Sequence, residues 1–310
     1  MRVLFWGTPE FAVPALRALI GENFDVVGLV TQPDRPVGRS RSKLEPPPVK
    51  EIALQETIPV LQPERPRGDD FIAQLRALAP DISVVVAYGH ILTTEVIDLP
   101  RFGTINIHAS ILPALRGAAP IQAAIRDGHP ETGVTIMRMV KALDAGPVLR
   151  VARTPIPEDE TFGELQERLA EMGALALVET LALIAMGSVV ETPQDDSAAT
   201  YAPKIERSMT RVDWTADARM VARVIRAYDP RPGAMATLAG GEVKLFGARV
   251  LATDDQAPPG EILAIGSDGM TVACGEDAVL IARVHPAGKR RITPMEWARG
   301  RGVATGQRLF

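Results

Sequence analysis

Thr104-Ile105-Asn106-Ile107-His108 alternates polar and apolar side chains, the pattern of a short strand. Side chains two residues apart on a strand share a face, so Asn106 and His108 point the same way at its end. Asn106 offers an amide donor that keeps its proton. His108 offers an imidazole, the acid–base group suited to neutral pH. Downstream, Leu143-Asp144-Ala145-Gly146 places a carboxylate in a turn sequence, able to orient the histidine. A donor, a base and an orienting carboxylate suit attack by an amine on a carbonyl carbon. Taken singly, Asn-x-His also occurs as a hydrogen-bonded structural pair and Asp-x-Gly as an ordinary turn.

The elements around these residues fit that edge position. Apolar runs at 2–7, 25–30, 82–87 and 103–108 alternate with amphipathic segments such as 9–19 and 70–78. Alternating strands and helices predict a doubly wound, mostly parallel α/β sheet. Such sheets collect ligands at the carboxyl ends of their strands, where strand order reverses. The first turn, Gly7-Thr8-Pro9-Glu10-Phe11, lacks the second and third glycines of a dinucleotide-binding loop, which argues against NAD. Thr161-x-x-Glu164 reads as a capping box opening a helix to about residue 186. Residues 190–206 lose periodicity and read as a linker between a catalytic domain over 1–189 and a second domain over 207–310. In the second domain a short helix precedes runs at 242–251, 260–265, 269–273 and 278–284, which predicts a small OB-like β-barrel.

Bulk properties narrow the function classes. The 310 residues are 46% hydrophobic and 23% charged, as in a globular domain pair rather than a disordered chain. No apolar run approaches the roughly 20 residues that cross a bilayer, and no secretory leader is expected at the start. Cys274 is the only cysteine, so no intramolecular disulfide or cysteine metal cluster forms, and a cytoplasmic location is expected. Residues 1–204 carry 19 Lys and Arg against 26 Asp and Glu, whereas residues 205–310 carry 15 against 12. The second half is therefore the side suited to nucleic acid. The segment 31–43 is long, proline-bearing and basic; Arg35, Arg39, Arg41 and Lys43 suit a phosphate backbone.

The string from Asn106 to Pro113, with Arg116-Gly117 and Leu143 to Gly146, resembles the signature of the 10-formyltetrahydrofolate-dependent formyltransferases. Gly7-Thr8-Pro9-Glu10-Phe11 and Thr31-Gln32-Pro33-Asp34-Arg35-Pro36-Val37-Gly38-Arg39 are similar to the branch acting on methionyl-tRNA. The likeness extends through Tyr201-Ala202-Pro203-Lys204-Ile205, Val212-Asp213-Trp214 and Pro286-Ala287-Gly288-Lys289, close to the whole chain. It implies Asn106, His108 and Asp144 as the catalytic set. It also implies folate contacts at Val86, Ala87, Tyr88, Gly89, Ser110, Ile111, Leu112 and Pro113. The donor implied is 10-formyltetrahydrofolate, with no metal, and the acceptor is initiator methionyl-tRNA. The basic loop, with Arg39 at its centre, is implied to approach the acceptor stem. Lys204, Arg207, Lys289 and Arg290 are further candidate phosphate contacts, with Arg211, Arg223, Arg226 and Arg291 beside them. No membrane is involved, and a monomer is expected.

The chain departs from the family pattern in two places. Val140, Lys141 and Ala142 replace two acidic residues and a glycine, and Ala145 replaces a threonine; Ala114 and Leu115 follow Leu-Pro, where a basic and an aromatic residue are common. Two other functions fit parts of the sequence: formyl transfer to an amino-sugar nucleotide, and non-catalytic binding of folate or RNA.

Overall fold

The computed structural model describes residues 1–37, 43–253 and 257–310. Two compact units emerge: Met1–Gly117 with Thr132–Thr154 and Gln166–Tyr201, and Ala118–Glu131 with Pro155–Leu165 and Ala202–Phe310.

In the first unit the strands are β1 (Arg2–Gly7), β2 (Asp25–Val30), the short pair β3 (Arg35–Val37) and β4 (Lys43–Glu45), β5 (Val60–Leu61), β6 (Ile82–Val86), β7 (Thr104–His108), β8 (Arg116–Gly117), β9 (Glu131–Arg138) and β10 (Val148–Pro155). The sheet order is β10-β9-β7-β6-β1-β2-β5. β7, β6, β1, β2 and β5 run parallel, and β9 is antiparallel to β7. The expected doubly wound sheet is present, with an antiparallel edge that the apolar runs did not signal. β6 is buried along its whole length, as a strand covered on both faces must be. Helices α1 (Val13–Gly21), α2 (Pro48–Gln55), α3 (Asp69–Ala77) and α4 (Thr94–Ile97) connect the strands. α3 turns Phe71, Ile72 and Leu75 into a cluster with Trp6 and Tyr88. Chain order reverses across β1, which has β2 on one side and β6 on the other. The carboxyl ends of β1, β6 and β7 therefore line one crevice.

α5 (Pro120–Arg126) belongs to the second unit, and α6 (Phe162–Ala185) starts at the expected capping box: Thr161 N donates to Glu164 Oε2 at 2.9 Å. β11 (Tyr201–Ala202) and α7 (Ala218–Ala227) follow. Next come β12 (Ala234–Leu238), β13 (Gly241–Leu251), β14 (Ile262–Ile265), β15 (Met270–Ala273), β16 (Ala278–Pro286) and α8 (Pro294–Arg299). β12-β13-β16-β15-β14 form a five-stranded antiparallel sheet. Residues 307–310 join its two edges. Ile262 N donates to Gln307 O at 2.9 Å and Leu309 N to Gly260 O at 2.8 Å on the β14 side, and Phe310 N donates to Thr237 O at 2.9 Å on β12. Gly260, at φ +88°, lies so close to Leu309 that a Cβ would sit 2.3 Å from its carbonyl oxygen.

Leu309 is 1% exposed within the core of this unit. Leu309→Ala is expected to destabilise by ~2–5 kcal/mol. Urea unfolding checks this as a lower midpoint at unchanged slope. Cys274 lies in the same core, and burial pushes its thiol up to about 12, so it supplies no nucleophile. Among the described residues no helix is long and apolar enough to cross a membrane.

Candidate active site

Asn106 and His108 occupy the carboxyl end of β7 as the alternation predicts, paired across the ladder with Met137 and Thr135. Asn106 is half-buried, and its side chain makes no hydrogen bond within the described protein. An amide donor left open at a strand edge is what a substrate oxygen requires. His108 is 5% exposed. Its Nε2 lies 3.0 Å from the carbonyl oxygen of Leu115. A carbonyl only accepts, so Nε2 holds the proton and Nδ1 is the nitrogen left for proton exchange. Nδ1 faces Asp144 Oδ2 at 3.7 Å, beyond hydrogen-bond length. The bond that orients the imidazole thus comes from Leu115 rather than from Asp144. Asp144 itself is held by the Gly117 N–H, which donates to Oδ2 at 2.8 Å.

The backbone around the site is unusual. Ala87, Leu115 and Asp144 all have φ between 48° and 60°, a region L residues rarely adopt. Such conformations concentrate where surrounding contacts over-determine them, often at functional sites. At Gly146 a Cβ would lie 1.8 Å from the Arg138 carbonyl oxygen, which explains the glycine of Leu-Asp-x-Gly. Thr135 Oγ1 donates to Ser110 O at 2.7 Å and accepts from Leu112 N at 3.1 Å, stitching the Ser110–Leu112 turn to β9.

The sequence did not single out Gln194, Thr200 or the backbone of Leu115. Gln194 Nε2 donates to the carbonyl oxygens of Asp144 and Gly146, and Leu115 N donates to Thr200 Oγ1 at 2.9 Å. Both residues come from the stretch read as linker, where aperiodic polar sequence hides a role made of hydrogen bonds. Four of the departures from the family pattern have a structural account, and nothing in the structure explains Ala114 or Ala145. Val140, Lys141 and Ala142 are exposed. Leu115 acts through its amide and carbonyl, which any side chain supplies.

Among the implied folate contacts, Ala87 and Gly89 are exposed just past the end of β6. Val86 is 1% exposed, within the sheet. Tyr88 points its ring into the core, 5.3 Å from Trp6 in an edge-on arrangement, and burial pushes its phenol up to about 12. Its backbone is closed off as well, because its carbonyl already accepts from Thr8 Oγ1 at 3.1 Å and Gln32 Nε2 at 2.9 Å. Ser110 is 1% exposed, its hydroxyl donating to Ala114 O at 2.6 Å; Leu112 is buried, while Ile111 and Pro113 are half-buried.

The basic segment is less of a loop than its composition predicts. Asp34 accepts from Lys50 Nζ at 2.8 Å and Gln62 Nε2 at 2.7 Å, and these bonds, Gln62's first, hold its carboxyl below the ordinary carboxylate range. Arg35 is exposed and folds back onto Gln32 Oε1. Lys43 begins β4; Arg39 and Arg41 lie outside the described residues. In the second unit Lys204, Arg207, Lys289 and Arg290 are exposed, although Arg207 pairs with Glu242. Arg226 does not suit a phosphate: it is 6% exposed and donates to Glu160 O at 3.0 Å. Arg291 is exposed but lies over the Phe246 ring, 3.5 Å from its centroid, and donates to Pro230 O at 3.2 Å.

Residues 1–181 match the formyl transferase family model, and residues 204–302 match the model of the formyl transferase C-terminal domain. The chain belongs to the formyl transferase family. A relative from Methylococcus capsulatus, named methionyl-tRNA formyltransferase, is 48% identical over 309 residues, covering 100% of this chain and 99% of its own. One of the same name from Bacillus licheniformis is 44% identical, covering 99% and 98%. Two solved structures share the fold of this formyl transferase. HypX from Aquifex aeolicus, in complex with tetrahydrofolic acid, has a TM-score of 0.69 at 22% identity; the match covers 96% of this chain and 46% of HypX, so this chain spans about half of that protein. The sugar 3N-formyl transferase WlaRD has a TM-score of 0.68 at 15% identity, covering 94% of this chain and 99% of its own.

Proposed function

We infer that this chain transfers the formyl group of 10-formyltetrahydrofolate to the free α-amine of initiator methionyl-tRNA, giving N-formylmethionyl-tRNA for translation initiation. The observation that carries this reading is agreement over the full length, at 48% identity, with a methionyl-tRNA formyltransferase. The crevice is suited to the donor. Ala87 and Gly89, both exposed, follow the carboxyl end of β6, and the neighbouring β7 carries the open amide of Asn106.

Each residue then has a definite task. The Asn106 amide donates to the formyl oxygen as negative charge develops there during attack by the amine. His108 takes the amine proton at Nδ1, because Nε2 is committed to Leu115. Asp144 stabilises the charge gained by the ring and helps return the proton to the departing folate nitrogen. A positioned acid–base of this kind contributes ~10²–10⁴ in rate. Chemistry is assigned to residues 1–189, supported by Gln194 and Thr200 from the segment 190–206, and tRNA binding to residues 207–310. Arg35, Arg39, Arg41 and Lys43 are proposed to meet the acceptor end, and Lys204, Arg207, Lys289 and Arg290 the phosphates beyond it. The enzyme is assigned to the cytoplasm as a monomer.

The competing acceptor is an amino-sugar nucleotide. Radiolabelled formyl transfer to methionyl-tRNA and to a dTDP-amino sugar, run side by side, separates the two. Label in the tRNA fraction is expected; label confined to the sugar nucleotide refutes the reading.

A further inference from the structure

Gln194 belongs to no strand or helix, yet both ends of its side chain are committed. Its Nε2 donates to Asp144 O at 2.8 Å and to Gly146 O at 2.7 Å, spending both amide protons on the catalytic turn. Its Oε1 accepts from Arg116 Nη2 at 2.8 Å and Nε at 3.1 Å. The Arg116 side chain is only 4% exposed and gains a second acceptor in Asp196 Oδ1, at 2.7 Å. Arg116 is flanked by Leu115, whose carbonyl holds the imidazole, and by Gly117, whose N–H holds the Asp144 carboxylate. Three consecutive residues thus reach the ring, the backbone and the carboxylate of the His108–Asp144 pair, and the backbone connection runs through Gln194.

The catalytic turn needs that connection. Asp144 has φ 49°, a left-handed conformation that an aspartate adopts only occasionally. Lys141, Ala142 and Leu143 before it are exposed, so no apolar anchor secures the turn from that side. The carboxylate lies 3.7 Å from His108 Nδ1, a separation that small movements of the turn would change in relative terms by a large amount.

We propose that Gln194 is a positioning residue for formyl transfer: it clamps the carbonyls of Asp144 and Gly146 to buried Arg116 and so fixes the Asp144 carboxylate against His108. The proposal rests on the function inferred above. Gln194→Glu keeps the length of the side chain and its pairing with Arg116, but turns an oxygen toward the two carbonyls in place of the donor. Gln194→Ala removes both connections. Asp196→Ala, at a side chain 80% exposed, frees Arg116 on one side while leaving Gln194 in place.

The test is single-turnover formyl transfer to methionyl-tRNA across a pH series, with thermal melting of each variant. Misplacement of a catalytic group by about 1 Å costs about 10²-fold. Gln194→Glu and Gln194→Ala are therefore expected to lose about 10–100-fold in rate, with the KM for the formyl donor kept and the pH–rate profile displaced. Asp196→Ala is expected to lose less, in the same direction. Rates within about twofold of wild type for folded Gln194 variants overturn the proposal, as does a loss confined to stability with an unmoved pH profile. Should Gln194→Ala not fold, wild-type rates for both Gln194→Glu and Asp196→Ala overturn the proposal equally. A wild-type protein that leaves methionyl-tRNA unformylated refutes the functional reading instead.

Discussion

Asn106→Ala is expected to lower kcat by ~10²–10³ while leaving the KM for the formyl donor nearly unchanged. The amide sits toward the open end of β7 with no hydrogen-bond partner in the described protein, so its removal breaks no hydrogen bond that holds the fold. Its value lies in the charge that develops on the formyl oxygen, and an interaction realised only in the transition state appears in kcat. Steady-state kinetics with methionyl-tRNA and varied donor measure this directly. A rise in KM at constant kcat would make Asn106 a simple binding residue.

Asp144→Asn and His108→Ala are each expected to cost ~10²–10⁴ in turnover. The asparagine keeps the size of the side chain but removes the charge facing His108 Nδ1 at 3.7 Å. His108→Ala removes the imidazole and leaves the Leu115 carbonyl without its donor. The double variant is expected to lose much less than the product of the single losses, because residues that work as a unit are not additive. Fully multiplicative losses would mean that the two groups act separately. A His108→Ala enzyme retaining more than about a tenth of the wild-type rate would remove the imidazole from the mechanism.

Asn106 and His108 were legible in the sequence because side-chain parity on a strand is fixed by backbone geometry. The apolar runs of β1, β2, β6 and β7 were legible because strands covered on both faces are apolar throughout, and the start of α6 because Thr161 and Glu164 form a capping box. The roles of Leu115 and Gly117 were not, since they act through a carbonyl, which every residue presents, and an N–H, which only proline lacks. Gln194 was hidden because the stretch around it has no hydrophobic period; its partners, Asp144 and Gly146, are far away in sequence. Tyr88 carried the opposite lesson. The family resemblance implied it as a folate contact, yet its ring fills the core against Trp6, and a string of residues does not mark which of them turn inward. The junction of β12 and β14 through residues 307–310 consists of a few paired backbone bonds and an isolated bridge rather than a strand, so no alternation marks it. Arg226 shows the limit of charge counting, because a cation on a helix face suits a phosphate only where that face is open.

The central claim is that this chain formylates methionyl-tRNA through an amide donor and a held imidazole–carboxylate pair. Its most direct test is a single-turnover reaction with enzyme in excess over charged tRNA and labelled 10-formyltetrahydrofolate, run for wild type and Asn106→Ala together. The account predicts N-formylmethionine on the wild-type tRNA and a rate at least ~10²-fold lower for the variant at saturating donor. Wild-type enzyme that leaves the methionine amine free, or a variant that forms product at the wild-type rate, would contradict it.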